Sequence, residues 1–510
     1  MYEKTELARV LADLKSARAS IDLQIVRIET LIRVIGDDDK PTLSLVSAVY
    51  DPLEHDPLLA EIVNQSPTAK VEVVKVEEPL VINEEWKRIL DLMNNGTENL
   101  FITGEAGTGK STLLRHFVDH CDKNIAVVAP TGVAALRVGA ETIHRFLKIK
   151  AGALEEDLVK LKDAKKYKNL DILIVDEISM VRADLMDLID KFLRMNGKYN
   201  DQPFGGTRII MFGDLFQLPP VAKSNDKVEQ MYLNHRYGTG TPYFFHAECW
   251  RDKQPKICEL TTIFRQKDSV FTGALNAIRR GDAGPEHLKL INDRVQPTFK
   301  PTDGELWLTL TTTNDSADMS NQRMLRSLNT PSKVFEALVV GDFNLRDAPT
   351  DEFLELKAGA VVMFIRNDPM GNWVNGTLGK VTKISPLIVD IDGKEYEVDP
   401  VDWESIAYEY DETARKLTKH IKGGFTQIPL KLANAITIHK GQGMTYDRVI
   451  IDMSRGAFTN GQTYVALSRC RTLEGMILRN PIAQSDLMVS TEVQAFMAGK
   501  PIAKPAAMLL

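Results

Sequence analysis

The sequence predicts an α/β fold with parallel sheets, and three observations predict it. From about Pro79 onward, short apolar runs alternate with amphipathic helical stretches. The runs are continuously apolar rather than alternating, as strands buried on both faces are. They end in polar residues, and the ligand site of a parallel sheet lies at that C-terminal edge of its strands.

The elements follow in order. Residues 1–40 carry a heptad helix: Leu7, Leu14, Ile21, Ile28 and Ile35 repeat every seven residues, and Leu11, Ile25 and Ile32 widen the stripe. Gly36 and Asp37–Asp39 stop it. So apolar a stripe needs cover, from a second copy, a protein partner or the chain's own body. Residues 41–80, with Pro41, Pro52, Pro57, Pro67 and Pro79, read as a linker. Asn83 caps a helix running to Asn95. The run Leu100–Ile102 then leads into GEAGTGKST. There Gly104, four residues, Gly109, Lys110 and Ser111 fit the phosphate-loop pattern G-x-x-x-x-G-K-[ST].

That spelling has a physical reason. Gly104, Gly107 and Gly109 open backbone conformations closed to residues with a Cβ, so successive N–H groups turn toward one anion. The helix that follows, with Leu113, Leu114 and Phe117 on its apolar face, adds its positive end. Lys110 would reach the β- and γ-phosphates of ATP and the Ser111 hydroxyl would ligate Mg²⁺, with Thr108 and Thr112 completing the candidate nucleotide site. A second strand, Ile125–Val128, runs into a turn at Pro130–Gly132. A third, in DILIVDEISM, ends at Asp176 and Glu177. Asp176 would hold the metal, directly or through water, and Glu177 would accept the proton of the attacking water. A fourth, in RIIMFGDLFQLPPV, runs into Asp214 and Gln217, and Gln217 would sense the γ-phosphate or orient that water.

Bulk properties bound the rest. The chain has 510 residues, enough for two to four domains, with 44% hydrophobic and 26% charged residues. No apolar run approaches a membrane span, and the polar N-terminus is no signal peptide, so a cytoplasmic or nucleoid-associated protein without membrane contact is expected. Its four cysteines are widely spaced, against a zinc or disulfide framework. At a net charge of −7, a nucleic-acid partner would be gripped by a local groove.

GEAGTGKST, APTGVAA, TIHRF, VDEISM, FGDLFQLPPV, FRQ, ITIHKGQGMTYDRVIID and TYVALSRCR occur in the order and spacing of superfamily-one class B helicases. The chain resembles the Pif family and its RecD relatives from about residue 81 to 480. The resemblance implies two RecA-like domains with ATP between them, single-stranded DNA across both, and 5′→3′ movement along it toward single/double-strand junctions. It makes Arg265 and Arg469 arginine fingers for the γ-phosphate, and Gln442 and Gly443 a nucleotide-contacting motif. It places DNA against Thr131, Gly132, Thr142, His144, His439, Lys440 and Thr445. It also places a wedge near 145–168, where Lys160–Asn169 is basic. The domains implied are 81–255, then 256–340 with 429–490, an inserted antiparallel β-barrel of Src-homology type at 341–428, and a flexible tail at 491–510.

Within the insertion, Asn375-Gly376 and Asp392-Gly393 are hairpin signals, and Trp373 and Trp403 would stack on bases or pack a core. Two positions depart from the family. Trp86 stands where an adenine-pairing glutamine is usual, and Gly441 where a serine is usual. The reading is a DNA-dependent ATPase and helicase. Its alternatives are a nucleic-acid-stimulated ATPase that remodels protein–DNA or RNA complexes, and an ATP-switched regulatory or scaffold subunit.

Overall fold

The computed structural model describes residues 82–500, apart from Ala106, Ala151, 222–225, 263–267 and Asp303. The heptad at 1–40, the linker at 41–80, Arg265 and the residues after 500 lie outside the described residues.

The first lobe is built on a parallel sheet. Its strands are β1 (Leu100–Gly104), β2 (Ile125–Ala129), β3 (Glu141–Thr142), β4 (Ile172–Val175), β5 (Arg208–Phe212) and β6 (Lys256–Leu260), in the order β3-β2-β4-β5-β1-β6. Alternate residues of the apolar runs feed opposite faces, as the pleat requires. Phe101, Leu173 and Ile209 pack with Met186, Ile189 and Phe192 of the helix Ala183–Asn196. Ile102, Ile174 and Ile210 pack with Ile89 of the helix Glu84–Asn95 and Phe117 of the helix Lys110–His120. Asn83 caps the first of these helices as expected, its side chain accepting from the Trp86 N–H at 2.8 Å.

The second lobe is a smaller parallel sheet interrupted by a long insertion. After β7 (Leu308–Thr311) come β8 (Ser332–Glu336), β9 (Leu338–Gly341), β10 (Phe353–Lys357), β11 (Val361–Phe364), β12 (Leu378–Ile384), β13 (Leu387–Ile391), β14 (Lys394–Glu397), β15 (Val401–Asp411), β16 (Lys416–Gln427) and β17 (Leu430–Leu432). The sheet resumes with β18 (Ala435–Thr437), β19 (Val449–Asp452) and β20 (Met476–Leu478), in the order β18-β7-β19-β20. The insertion pairs antiparallel throughout, in sheets β14-β13-β12-β11-β17, β15-β16-β9 and β10-β8. Asp392-Gly393 turns β13 into β14 with both residues at positive φ, 51° and 85°, as a two-residue hairpin demands. Asn375-Gly376 instead lies in a longer loop between β11 and β12.

The long β15–β16 hairpin lies against the first lobe. The buried Tyr408 hydroxyl accepts from the Val127 N–H at 3.1 Å, and Lys419 Nζ donates to the Gly139 carbonyl at 2.7 Å. The basic stretch Lys160–Asn169 meets the same hairpin. Lys165 pairs with Glu412 at its tip, while Lys166 pairs with the buried Glu141 at 3.4 Å.

The first part of the expected tail is a helix, Thr491–Met497, capped by Ser490. Phe496 stacks on Phe245 at 4.4 Å between ring centroids. Its apolar face, Val493 and Phe496, is too short for periodicity to reveal, and tertiary burial stabilises it instead. Among the described residues no helix is long and apolar enough to cross a membrane.

Tyr408→Phe keeps the ring and leaves the buried Val127 N–H without its acceptor. The expected loss is about 1–3 kcal/mol, read as a lower unfolding midpoint in denaturant; an unchanged midpoint would show that the hairpin contact contributes nothing.

Candidate nucleotide-binding cleft

The phosphate loop leaves β1 with Gly104 at φ 154°, Gly107 at 91° and Gly109 at 80°. A Cβ on Gly104 would come within 2.6 Å of the Leu260 carbonyl oxygen, so the loop needs glycine there for space as well as for φ. Thr108 is buried and its hydroxyl donates to the Glu105 carbonyl at 3.0 Å. Lys110 Nζ donates to the Gly104 and Glu105 carbonyls at 2.7 and 2.9 Å, curling the side chain back over the loop. Ser111 and Thr112 stand exposed in the first turn of the following helix.

Asp176 and Glu177 extend β4, and the Asp176 N–H donates to the Val128 carbonyl at 2.9 Å. Asp176 is 6% exposed, and its Oδ2 is buried without a hydrogen-bond partner. Burial, then the charge of Glu177, pushes its carboxyl up to about 7, with Arg137 and Lys110 partly offsetting them. A buried carboxylate oxygen lacking a donor is the feature a cation would satisfy, and a hydroxyl and a carboxylate are the hard oxygen donors that Mg²⁺ takes. Ser111 and Asp176 therefore fit a magnesium ion. Glu177 sits in the left-handed region at φ 51°, ψ 45°, uncommon for a residue with a Cβ.

The second lobe reaches this pair. Gln442 Nε2 lies 3.3 Å from Gln217 Oε1 and 3.5 Å from Glu177 Oε2. Gln217 in turn donates to Asp214 Oδ2 at 3.1 Å. Asp214 is buried against Arg279, whose guanidinium donates to Oδ1 at 3.0 Å and lies over the Phe216 ring at 4.5 Å. Gly443 and Gly461 are close-approach glycines at positive φ: a Cβ would collide with Arg137 at the first and with the Gln217 carbonyl at the second. Arg137 also pairs with Glu177, Nη2 to Oε1 at 2.6 Å.

The chain's polar residues thus assemble Glu177, Gln217, Gln442 and Gly443 around one seam. Sequence reasoning passed over Arg137, Arg279 and Asp214 as members of it. Each arginine sits in the last turn of a helix, where a cation reads as an ordinary response to the helix dipole. Arg469 is 1% exposed inside the second lobe, donating to the Val465 carbonyl at 3.0 Å, the Met444 carbonyl at 2.8 Å and the Ser468 hydroxyl at 2.9 Å.

The expected DNA contacts have local roles of their own. Thr131 caps the helix Gly132–Val138 and Thr142 the short helix Ile143–Phe146, through side-chain bonds at 3.2 and 3.4 Å. Gly132 leaves no room for a Cβ beside Asp347. Burial lowers the pKa of His144, with Asp347 and Asp184 opposing, and burial does the same to His439, whose ring stacks toward Phe458. Lys440 is exposed, and the Thr445 hydroxyl is buried without a partner.

Trp86 is 2% exposed in the first lobe's core, so its ring presents no face for a base to stack on. Trp373 stacks on Phe364 at 4.3 Å, and Trp403 packs near Phe425 and Arg366. A Cβ on Gly441 would meet nothing nearer than 3.5 Å, so the departure from serine is not forced by space.

Comparison with known proteins agrees with this geometry. The profile of the PIF1-like helicase family matches residues 81–283. The ATP-dependent DNA helicase PIF1 of Xenopus laevis is 34% identical over 431 residues, which are 80% of this chain and 63% of that protein, so the chain spans less than two thirds of that relative. The crystal structure of Bacteroides sp Pif1 with ADP-AlF4 is 33% identical, with a TM-score of 0.75 over 82% of this chain and 97% of that one. Bacteroides Pif1 bound to single-stranded DNA is 34% identical over the same shares, with a TM-score of 0.59. Two parallel sheets, one carrying a phosphate loop and the other reaching Gln217 and Glu177 through Gln442, together with these likenesses, show that the chain belongs to the PIF1-like helicase family.

Proposed function

We propose that this chain is an ATP-dependent DNA helicase that moves 5′→3′ on single-stranded DNA and opens duplex at single/double-strand junctions. The observation that carries the proposal is Gln442 of the second lobe reaching Gln217 and Glu177 of the first. That contact makes the hydrolytic residues depend on how the lobes sit, which is what a motor requires. The Bacteroides Pif1 structures named with ADP-AlF4 and with single-stranded DNA support both ligands.

In this reading the parallel sheets belong to two RecA-like domains and the antiparallel insertion is a barrel of Src-homology type, with two of the expected boundaries corrected. The first domain runs past 255, because β6 (Lys256–Leu260) pairs with β1, and the insertion starts before 341, because β8 and β9 pair with β10 and β16. ATP phosphates sit on the N–H groups from Gly104 to Thr112, and Lys110 leaves its carbonyl partners for the β- and γ-oxygens. Ser111 and Asp176 would hold Mg²⁺, which would supply positive charge against the phosphates. Glu177 takes the proton of the attacking water as Gln217 orients it. Arg265, outside the described residues, and Arg469, which would have to leave its Val465, Met444 and Ser468 partners, would supply guanidinium charge to the γ-phosphate from the second lobe, and Gln442 and Gly443 report the lobe's position. The strand lies along Thr131, Gly132, Thr142, His144, His439, Lys440 and Thr445, through backbone-phosphate contacts that position without reading sequence. The N-terminal heptad would add self-association or a protein partner.

ATP turnover should rise strongly with single-stranded DNA, and Lys110→Ala or Glu177→Gln should reduce it by roughly three orders of magnitude or more. Turnover indifferent to DNA would instead favour an ATP-driven switch. A duplex with a 5′ single-stranded tail should be unwound and one with a 3′ tail should not; the reverse preference refutes the assigned direction.

Magnesium binding supplies a pH test. Burial raises the Asp176 carboxyl to about 7, so the proton competes with the metal below that value. Magnesium affinity, measured by calorimetry with a non-hydrolysable ATP analogue, should therefore tighten as pH rises from about 6 to 8 and level off above. Asp176→Asn should abolish the pH dependence together with most of the binding.

A further inference from the structure

The ion pair between Arg137 and Glu177 is not accounted for by phosphate binding or by metal binding. Arg137 lies in the last turn of the helix Gly132–Val138, and its Nη2 is 2.6 Å from Glu177 Oε1. Among the described residues the other oxygen of Glu177 is approached by Gln442, at the long distance of 3.5 Å. The guanidinium is also seated against Gly443 of the second lobe, since a Cβ there would run into its Nη1. The side chains of Arg137 and Glu177 are 29% and 17% exposed, so the pair is shielded but not sealed.

A general base needs a free carboxylate oxygen aimed at the water. A charge-assisted bond of this length occupies one oxygen and sets the carboxylate's direction. The left-handed backbone of Glu177, followed at once by the turn Ile178–Met180, fixes where its side chain leaves the chain, so the direction of the carboxylate is left to its side-chain torsions and to the partner that holds it. Arg137 therefore occupies one oxygen of Glu177 and sets the direction in which the other points.

The same short helix begins at Thr131 and Gly132, the residues assigned to the DNA backbone. Arg137 is thus the point where an element that meets the strand touches the hydrolytic carboxylate. We propose that Arg137 is a positioning residue that restrains Glu177 until a single strand engages this helix, and that strand binding draws the guanidinium off the carboxylate. A negatively charged phosphodiester backbone is the chemistry suited to compete for an arginine. The inference rests on the reading of Glu177 as the base of a DNA-dependent ATPase.

The test is steady-state ATP hydrolysis by the full chain, with and without a saturating oligothymidylate, for the parent protein, Arg137→Ala, Arg137→Gln, Arg137→Lys and Glu177→Gln. Removing a charged hydrogen bond of this kind should raise kcat without DNA about tenfold. It should leave kcat with DNA within about twofold of the parent and the ATP KM unchanged, so the ratio of stimulated to unstimulated rate collapses. Arg137→Lys, which keeps a cation, should restore most of that ratio. The inference is overturned if Arg137→Ala and Arg137→Gln, with melting curves like the parent's, lower both rates alike or leave the ratio untouched. A parent protein that ignores the oligonucleotide, or a Glu177→Gln chain that still turns over, overturns the functional reading and this inference with it.

Discussion

The contact of Gln442 with Gln217 and Glu177 is the interaction on which the rest of the molecule converges. It is weak, built from one side-chain amide at the long end of hydrogen-bond range. That weakness suits a joint. A strong buried pair would lock the lobes, whereas an amide held by two acceptors can be made and broken as the lobes shift. Gly461 sets how near the lobes come, because a Cβ there would meet the backbone carbonyls of Phe216 and Gln217, while a Cβ on Gly443 would displace the Arg137 guanidinium.

Stronger interactions brace this joint from behind. Arg279 and Asp214 form an ion pair shielded from water, and Asp214 also receives the side chain of Gln217 and the N–H of Phe216. Such a pair is weak evidence for net stability, since both charges lose their hydration, but removing one partner leaves the other buried and uncompensated. Its effect is geometric: it fixes Gln217, and through Gln217 the place where Gln442 must arrive. Asp176 shows the opposite arrangement, a carboxylate oxygen buried without a donor, a cost consistent with a site that awaits a cation.

The insertion is tied to the same lobe by different means. Tyr408 meets an interior N–H of β2, Lys419 a carbonyl beside the helix Gly132–Val138, and Arg145 both Asp342 and Ser405. Asp347 leans on Gly132. The segments assigned to DNA therefore carry contacts to the insertion as well, and a strand lying there must share or replace them.

Local chemistry made much of this legible in advance. A phosphate loop announces itself because only glycine tolerates its φ angles, and the strands because residues buried on both faces must be apolar. The Asp176–Glu177 pair was readable for the same reason, as charge placed at the end of an otherwise apolar strand. The Asp392-Gly393 hairpin was readable from its Asp-Gly pair, because these residues tolerate the positive φ that both positions of a two-residue turn need. Arg137 and Arg279 were not, because a charged residue on a helix looks the same whether it faces water or a partner far along the chain, and Asp214, legible as the end of its strand, gave no sign that its partner would be Arg279. The docked helix Thr491–Met497 and the core position of Trp86 were hidden likewise, since burial is a property of the neighbours and not of the residue. Periodicity and backbone chemistry, which act over a few residues, determined the elements and the phosphate site. Which polar groups meet across the seam was decided only when the two sheets and the insertion closed around each other, because those contacts exist between segments that no local rule connects.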